Sequence, residues 1–325
     1  MKPLGLSCPA MHSRLLAASS LLVLLVAGCA SPGPAAPTPT GAGGGYPGWP
    51  EGPDATAQMV PLLVSSELVP GPNRFLYSLT DLQNALIAAP DLATDVRLYD
   101  LAADPAKPAA EATGTFIWSL QGQLGLYHAS VDFGRAGPWG LEIVARKAGL
   151  PDRTVRMRFD VRASGTTPAL GARVPASDTP TATTAAAIAG ISTDRQPDPD
   201  FYRQSVKGAL AAGRPFVLVF ATPLFCTSSV CGPTLDTVKG VAGPYKDRVD
   251  FIHVEPYRLR QTQDGLQPDL AASGDYQVVP AMADWGLPTE PWVFVVRADG
   301  TLAAKFEGTL GADELRQTLD TLTSG

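Results

Sequence analysis

The sequence predicts a multidomain protein, an all-β block followed by an α/β block, and three observations predict it. Residues 59–163 contain short runs in which apolar and polar side chains alternate, separated by Gly/Pro turns, the period of half-buried strands. Residues 200–325 alternate continuous apolar runs with segments whose apolar residues recur at helical spacing. Segments 29–58 and 164–199 are rich in Pro, Gly, Ala and Thr and hold too few large apolar side chains to build a core, so both read as disordered, the first as a tether and the second as a linker.

Taken in order, Lys2, His12 and Arg14 precede LLAASSLLVLLVAG, a run too short to span a bilayer as a mature helix. A basic start, a short apolar core and small residues before a cut site describe an export signal over residues 1–28. Its end, Val26-Ala27-Gly28-Cys29, resembles the bacterial lipobox. That resemblance implies cleavage before Cys29, lipidation of Cys29, and attachment to the extracytoplasmic face of the cell membrane. Of the four cysteines, Cys8 leaves with the signal and Cys29 carries lipid, so Cys226 and Cys231 remain, in a compartment where disulfides form and persist. The formal net charge of −6 offers no basic footprint for nucleic acid.

In the first block, TVRMRFDV alternates Val155, Met157, Phe159 and Val161 with Thr154, Arg156, Arg158 and Asp160. YHASVDF alternates in the same way, and GLEIVAR is a further strand candidate. A short helix is expected near TDLQNALIAA. Several short strands with Gly/Pro turns suggest a small β-sandwich over 59–163. GPNRF, the strand carrying Tyr127-x-Ala129, and AGPWGLEI are similar to immunoglobulin-like modules of bacterial exported proteins. His128 is expected to be a strand surface residue rather than a ligand.

In the second block, PDFYRQSVKGALAAG reads as a helix ending at Gly213, with Tyr202, Val206 and Leu210 in register. PFVLVFA is a continuous apolar strand, as expected where both faces are covered. The cysteines follow, then a helix over TLDTVKGVA, the strand RVDFIHVEPY, a hairpin over PWVFVVRADGTLAAKFEG turning at ADG, and a closing helix over DELRQTLDTL. This block resembles the thioredoxin fold over residues 200–325. FATPLFCTSSVCGP and WGLPTEPWVFVVRADG are similar to lipid-anchored thioredoxin-like proteins of actinobacterial type. The resemblance implies a cis-proline facing the cysteines, and Pro291 is the matching position. It also marks two departures. The buried acid of that family is replaced near Phe220 by an apolar residue, and Phe225 stands where Trp is usual. Proton transfer to Cys231 would then need water or Glu290.

Cys226 and Cys231 enclose four residues. On one regular helix that spacing places their α-carbons roughly 8 to 9 Å apart, whereas a disulfide needs less than about 7 Å. Either Cys226 lies in the loop before the helix, or the helix opens when the bond forms. Ser228 or Ser229 could cap the helix start. A strand end followed by a helix N-terminus favours a thiolate, which assigns Cys226 as attacking nucleophile and Cys231 as resolving thiol. The expected activity is thiol–disulfide exchange, with no cofactor and with exported protein thiols or disulfides, or a membrane redox partner, as substrates. Three alternatives stay open. One peroxiredoxin class uses C-x₄-C after Thr-Pro, but Thr222-Pro223 stands one residue too far away and Glu290-Pro291 replaces its arginine. A copper chaperone would hold Cu(I) with Cys226, Cys231 and His253. A non-catalytic binding or scaffold protein would keep the pair as a structural disulfide.

Overall fold

The computed structural model describes residues 45–50 and 58–324. Seven strands of the first half pair antiparallel in one sheet: β1 (Val60–Leu63), β2 (Gly71–Thr80), β3 (Ala93–Asp100), β4 (Ala110–Leu120), β5 (Leu124–Phe133), β6 (Gly137–Arg146) and β7 (Arg153–Val161). Their order is β1-β2-β5-β4-β3-β6-β7. Alternation sets the inward face. Tyr127, Ala129, Val131 and Phe133 of β5 and Val155, Phe159 and Val161 of β7 enter the core with Phe75, Tyr77 and Trp139. The sheet curls until β1 approaches β7, and the Arg162 N–H donates to Leu68 O at 2.9 Å just beyond the strand ends. The result is a near barrel.

TDLQNALIAA forms no helix. Asp81 Oδ1 accepts the N–H groups of Gln83 and Ala85, each at 2.8 Å, and Asn84 adopts φ 64°. A side chain that captures its own following backbone competes with the first helical turn, and a left-handed residue ends it.

The second half contains α1 (Ala185–Ile188), α2 (Val206–Ala212), β8 (Phe216–Phe220), α3 (Cys231–Ala242), β9 (Asp250–Val254), β10 (Leu259–Thr262), β11 (Gly265–Pro268), α4 (Pro280–Asp284), β12 (Trp292–Val296), β13 (Leu302–Glu307) and α5 (Ala312–Thr323). β8 is apolar throughout because both its faces are covered. Val217 and Val219 pack among Leu235, Val238, Leu315 and Leu319 of α3 and α5, while Phe216, Leu218 and Phe220 pack against Trp285 and Phe294. The sheet runs β13-β12-β8-β9. The expected single helix over 199–213 is split into a 3-10 turn, Pro199–Tyr202, and α2, which Ser205 caps by accepting the Gly208 N–H.

Three expectations are corrected. Segment 164–199, expected to be a disordered linker, is ordered and threaded against both halves. Thr166 and Thr167 hydrogen-bond Glu67, Ala172 O accepts Leu302 N–H, Ser177 donates to Asp284, and Ile188 is buried. Its Ser, Thr and Asp side chains supply polar anchors that a composition count reads as disorder. Residues 45–50, inside the expected tether, are also packed: Trp49 is buried beside Tyr99, its ring centroid 4.7 Å away, under the Arg156 guanidinium.

The third correction is the fold class. The chain is not an immunoglobulin-like sandwich linked to a separate thioredoxin-like α/β domain. It is mostly β, with thirteen strands and five α-helices among the described residues, dominated by the seven-stranded antiparallel sheet. Only the β8–β9 pair is parallel in the four-stranded sheet, and the chain between β9 and β12 carries the β10–β11 hairpin and the short α4. Gly45–Gly325 form one unit. Polar contacts join its halves: Arg74 pairs with Glu314 at 2.6 Å, Glu307 accepts Ser66 N–H at 2.8 Å, and Ser119 and Thr309 share a hydroxyl hydrogen bond at 2.5 Å.

Candidate redox site

β8 delivers the chain to buried Ala221 and Thr222, and a loop carries it to the first turn of α3. Cys226 lies in that loop, half-buried, and Cys231 opens α3, fully buried. The two are disulfide-bonded with α-carbons 6.0 Å apart. The long spacing is therefore accommodated by placing Cys226 before the helix, the first of the two arrangements the spacing allowed. Ser229 helps the chain turn back, at φ 63°.

Neither serine caps α3. Val230 occupies the cap position without a side-chain hydrogen bond. The sulfur of Cys226 takes that role, accepting the Cys231 N–H at 3.3 Å, with Ser228 Oγ a further 3.3 Å contact. A sulfur held at the positive end of a twelve-residue helix is where a thiolate is stabilised.

Glu290 completes the cluster. Its carboxylate oxygen and the two sulfurs all lie within 4.8 Å of one another. Burial pushes its carboxyl above the ordinary carboxylate range, opposed by hydrogen bonds from the Tyr257 hydroxyl and the Thr227 N–H. Oε1 is buried without a hydrogen-bond partner among the described residues. Burial, and the Glu290 carboxyl beside it, raise the Tyr257 phenol. Pro291, next in sequence, is buried, its peptide bond with Glu290 is cis, and its carbonyl accepts the Gly308 N–H at 2.8 Å. Thr234 of α3 donates to Gly308 O at 3.1 Å, which ties the helix behind the cysteines to the end of β13.

The rim of the site is aromatic and apolar. Phe225 meets Tyr276 edge-on at 6.2 Å, Tyr276 meets Tyr257 at 4.9 Å, and Leu224 is exposed. Thr193, from the threaded segment, holds the loop from behind, accepting Leu224 N–H at 3.2 Å and donating to Glu255 at 2.7 Å. Tyr257, Tyr276 and Thr193 carry no local sequence signal, because each reaches the cysteines only through the tertiary fold.

His253 does not join them. Nδ1 lies 2.8 Å from the Tyr202 hydroxyl and Nε2 lies 2.9 Å from Ala221 O, so both ring nitrogens are engaged in the core. The alternative copper set of Cys226, Cys231 and His253 is not assembled, since both imidazole nitrogens are turned to Tyr202 and Ala221 O. His128 is half-buried on β5, lies 3.5 Å from Glu314, and is not in the cysteine cluster. Cys29 lies outside the described residues.

No family model matches the chain. No curated protein matches it. Among solved structures, a DUF4426 family protein from Pseudomonas aeruginosa PAO1 matches with 11% identity and a TM-score of 0.22, covering 29% of this chain and 77% of that one. A likeness of that size bears on neither fold nor function. The assignment to thioredoxin-like lipoproteins of actinobacterial type is corrected with the fold class: no family model supports it, and the chain is the mostly β protein described above.

Proposed function

We propose that the chain is a membrane-anchored, extracytoplasmic thiol–disulfide oxidoreductase. Its Cys226–Cys231 pair exchanges electrons with thiols or disulfides of exported proteins, or with a membrane redox partner. One observation carries the reading. The two sulfurs differ in access: Cys226 is half-buried in a surface loop with its sulfur on the first N–H of α3, whereas Cys231 is sealed beneath it. A partner's sulfur meets Cys226 first, and the leaving or attacking thiolate there is stabilised by the helix. Cys231 then resolves the mixed disulfide from within.

Replacing Cys231 with Ser should trap Cys226 in mixed disulfides with partner proteins, and Cys226→Ser should abolish trapping. In the reduced protein Cys226 should titrate below the free-thiol value of about 8.5, and the pair's reduction potential should lie above about −300 mV. An inert staple is the answer if both thiols alkylate like free cysteine and the bond resists dithiol reductants in the folded protein. Rapid peroxide consumption by the reduced protein would instead identify a peroxidase.

The anchoring half of the proposal rests on the lipobox-like Val26–Cys29. No helix among the described residues is long and apolar enough to cross a membrane. Cys29→Ala should release or misprocess the protein, and unchanged membrane retention of that variant would remove lipid anchoring from the account.

A further inference from the structure

We propose that Glu290 is the proton carrier for Cys231, with Tyr257 as the positioning residue that aims it, an inference that rests on the thiol–disulfide exchange proposed above. The resolving thiol of such a pair must lose a proton to attack and regain it in the reverse direction. Cys231 is fully buried at the base of α3, so bulk water does not reach it directly. β8 beneath the site offers no acid or base, since Phe216–Phe220 are all apolar. His253, on the adjacent β9, has both nitrogens committed to Tyr202 and Ala221 O. Among the described residues, Glu290 is the carboxylate grouped with both sulfurs, with Tyr257 behind it and Tyr276 edge-on against Tyr257, while the buried Glu255 on the far side of the loop is held through Oε1 by Thr193.

Glu290 meets the geometric demands of the role. Its carboxylate lies within 4.8 Å of both sulfurs. One oxygen, Oε1, is buried and unpartnered among the described residues, leaving a lone pair free to receive a proton. The carboxylate is held by hydrogen bonds from the Tyr257 hydroxyl and the Thr227 N–H, and Thr227 is the residue after Cys226. The loop that carries the nucleophile thus also orients the carboxylate. Burial lifts the Glu290 carboxyl above the ordinary carboxylate range, which narrows its gap to a thiol.

The step balances as follows. Cys226 thiolate attacks a partner disulfide, forms the Cys226–partner bond and expels one partner thiolate. Cys231 S–H passes its proton to Glu290 Oε1, and the Cys231 thiolate attacks Cys226 Sγ. The Cys226–Cys231 bond forms, the mixed disulfide breaks, and the second partner thiolate leaves and takes up a proton. Two electrons pass from the protein dithiol to the partner disulfide.

The test separates the two thiols with a chromogenic aryl disulfide. Reaction of the reduced full chain releases the first aryl thiol when Cys226 attacks and the second when Cys231 resolves. Glu290→Gln should slow the second release by about 10²-fold at neutral pH, leave the first within about threefold, and erase an inflection in the pH profile of the second. Glu290→Asp should restore part of the rate, and Tyr257→Phe should shift the inflection without removing it. Normal first release with an unchanged second release and pH profile in Glu290→Gln would overturn the role of Glu290 and leave exchange standing. Failure of the wild-type protein to release either aryl thiol would remove exchange, and this role with it.

Discussion

Ser229 shows what the cysteine loop costs the chain. Its φ of 63° is a conformation that L-residues adopt at a penalty of roughly 1–2 kcal/mol. Ser229→Gly should therefore raise the unfolding free energy of the oxidised protein by about 1 kcal/mol, read from urea denaturation. A loss of stability instead would mean that the serine side chain contributes more than its backbone costs. At this scale the site was partly legible. Cys226, Cys231, Glu290 and Pro291 lie in two short stretches whose chemistry is local, and both stretches reach the site. The capping expectation for Ser228 or Ser229 failed because the Cys226 sulfur occupies the helix N-terminus instead. Tyr257 was not legible, since a tyrosine 31 residues beyond Cys226 acquires its role only when the chain after β9 folds back onto the loop.

Among elements, strands and helices with a strong apolar period appear where the pattern places them. β5, β8 and α3 bury the residues whose spacing named them, β7 buries Val155, Phe159 and Val161 but leaves Met157 half-buried, and α5 buries Leu315 and Leu319 with Leu322 half-buried. Segments governed by polar side chains do not follow the pattern. TDLQNALIAA has helical composition, but Asp81 turns it aside. Segment 164–199 has a linker's composition, but its polar groups find partners. Gly286 tests that docking. It sits at φ 63°, and a β-carbon there would collide with Thr166 O. Gly286→Ala should displace the threaded segment, so limited proteolysis should cut within 164–199 in the variant and spare it in the wild type. Equal cutting of both proteins would show that the segment is not held at this point.

For the whole molecule, the division into blocks failed because what joins them is invisible to local pattern. Ser66 and Glu307 are 241 residues apart in sequence yet hydrogen-bonded. Glu67 is the centre of this seam, binding Thr166, Thr167 and Lys305. Burial alone would raise its carboxyl, but the hydrogen bonds and charge of Lys305, with Thr167 and Thr166, hold it at about 2. A folded value below the ordinary 4.5 means stability that is present above pH 4.5 and lost as pH falls toward 2. Glu67→Gln should cost about 3 kcal/mol at neutral pH, and the difference from wild type should shrink through that acid window in pH-dependent unfolding. A difference independent of pH would show that the ion pair is not the source. The docking of Trp49 has a spatial meaning of its own. With Tyr46 and Trp49 seated against Tyr99 and Leu101, the leash from a lipid on Cys29 ends at residue 45 rather than 58. From Cys29 to Gly45 a chain extends at most roughly 55 Å at 3.3–3.6 Å per residue. On the proposed anchoring, Tyr46 and Trp49 stand within that distance of the lipid headgroups, and under the proposed exchange a partner would have to offer its sulfur within that reach plus the width of the folded body.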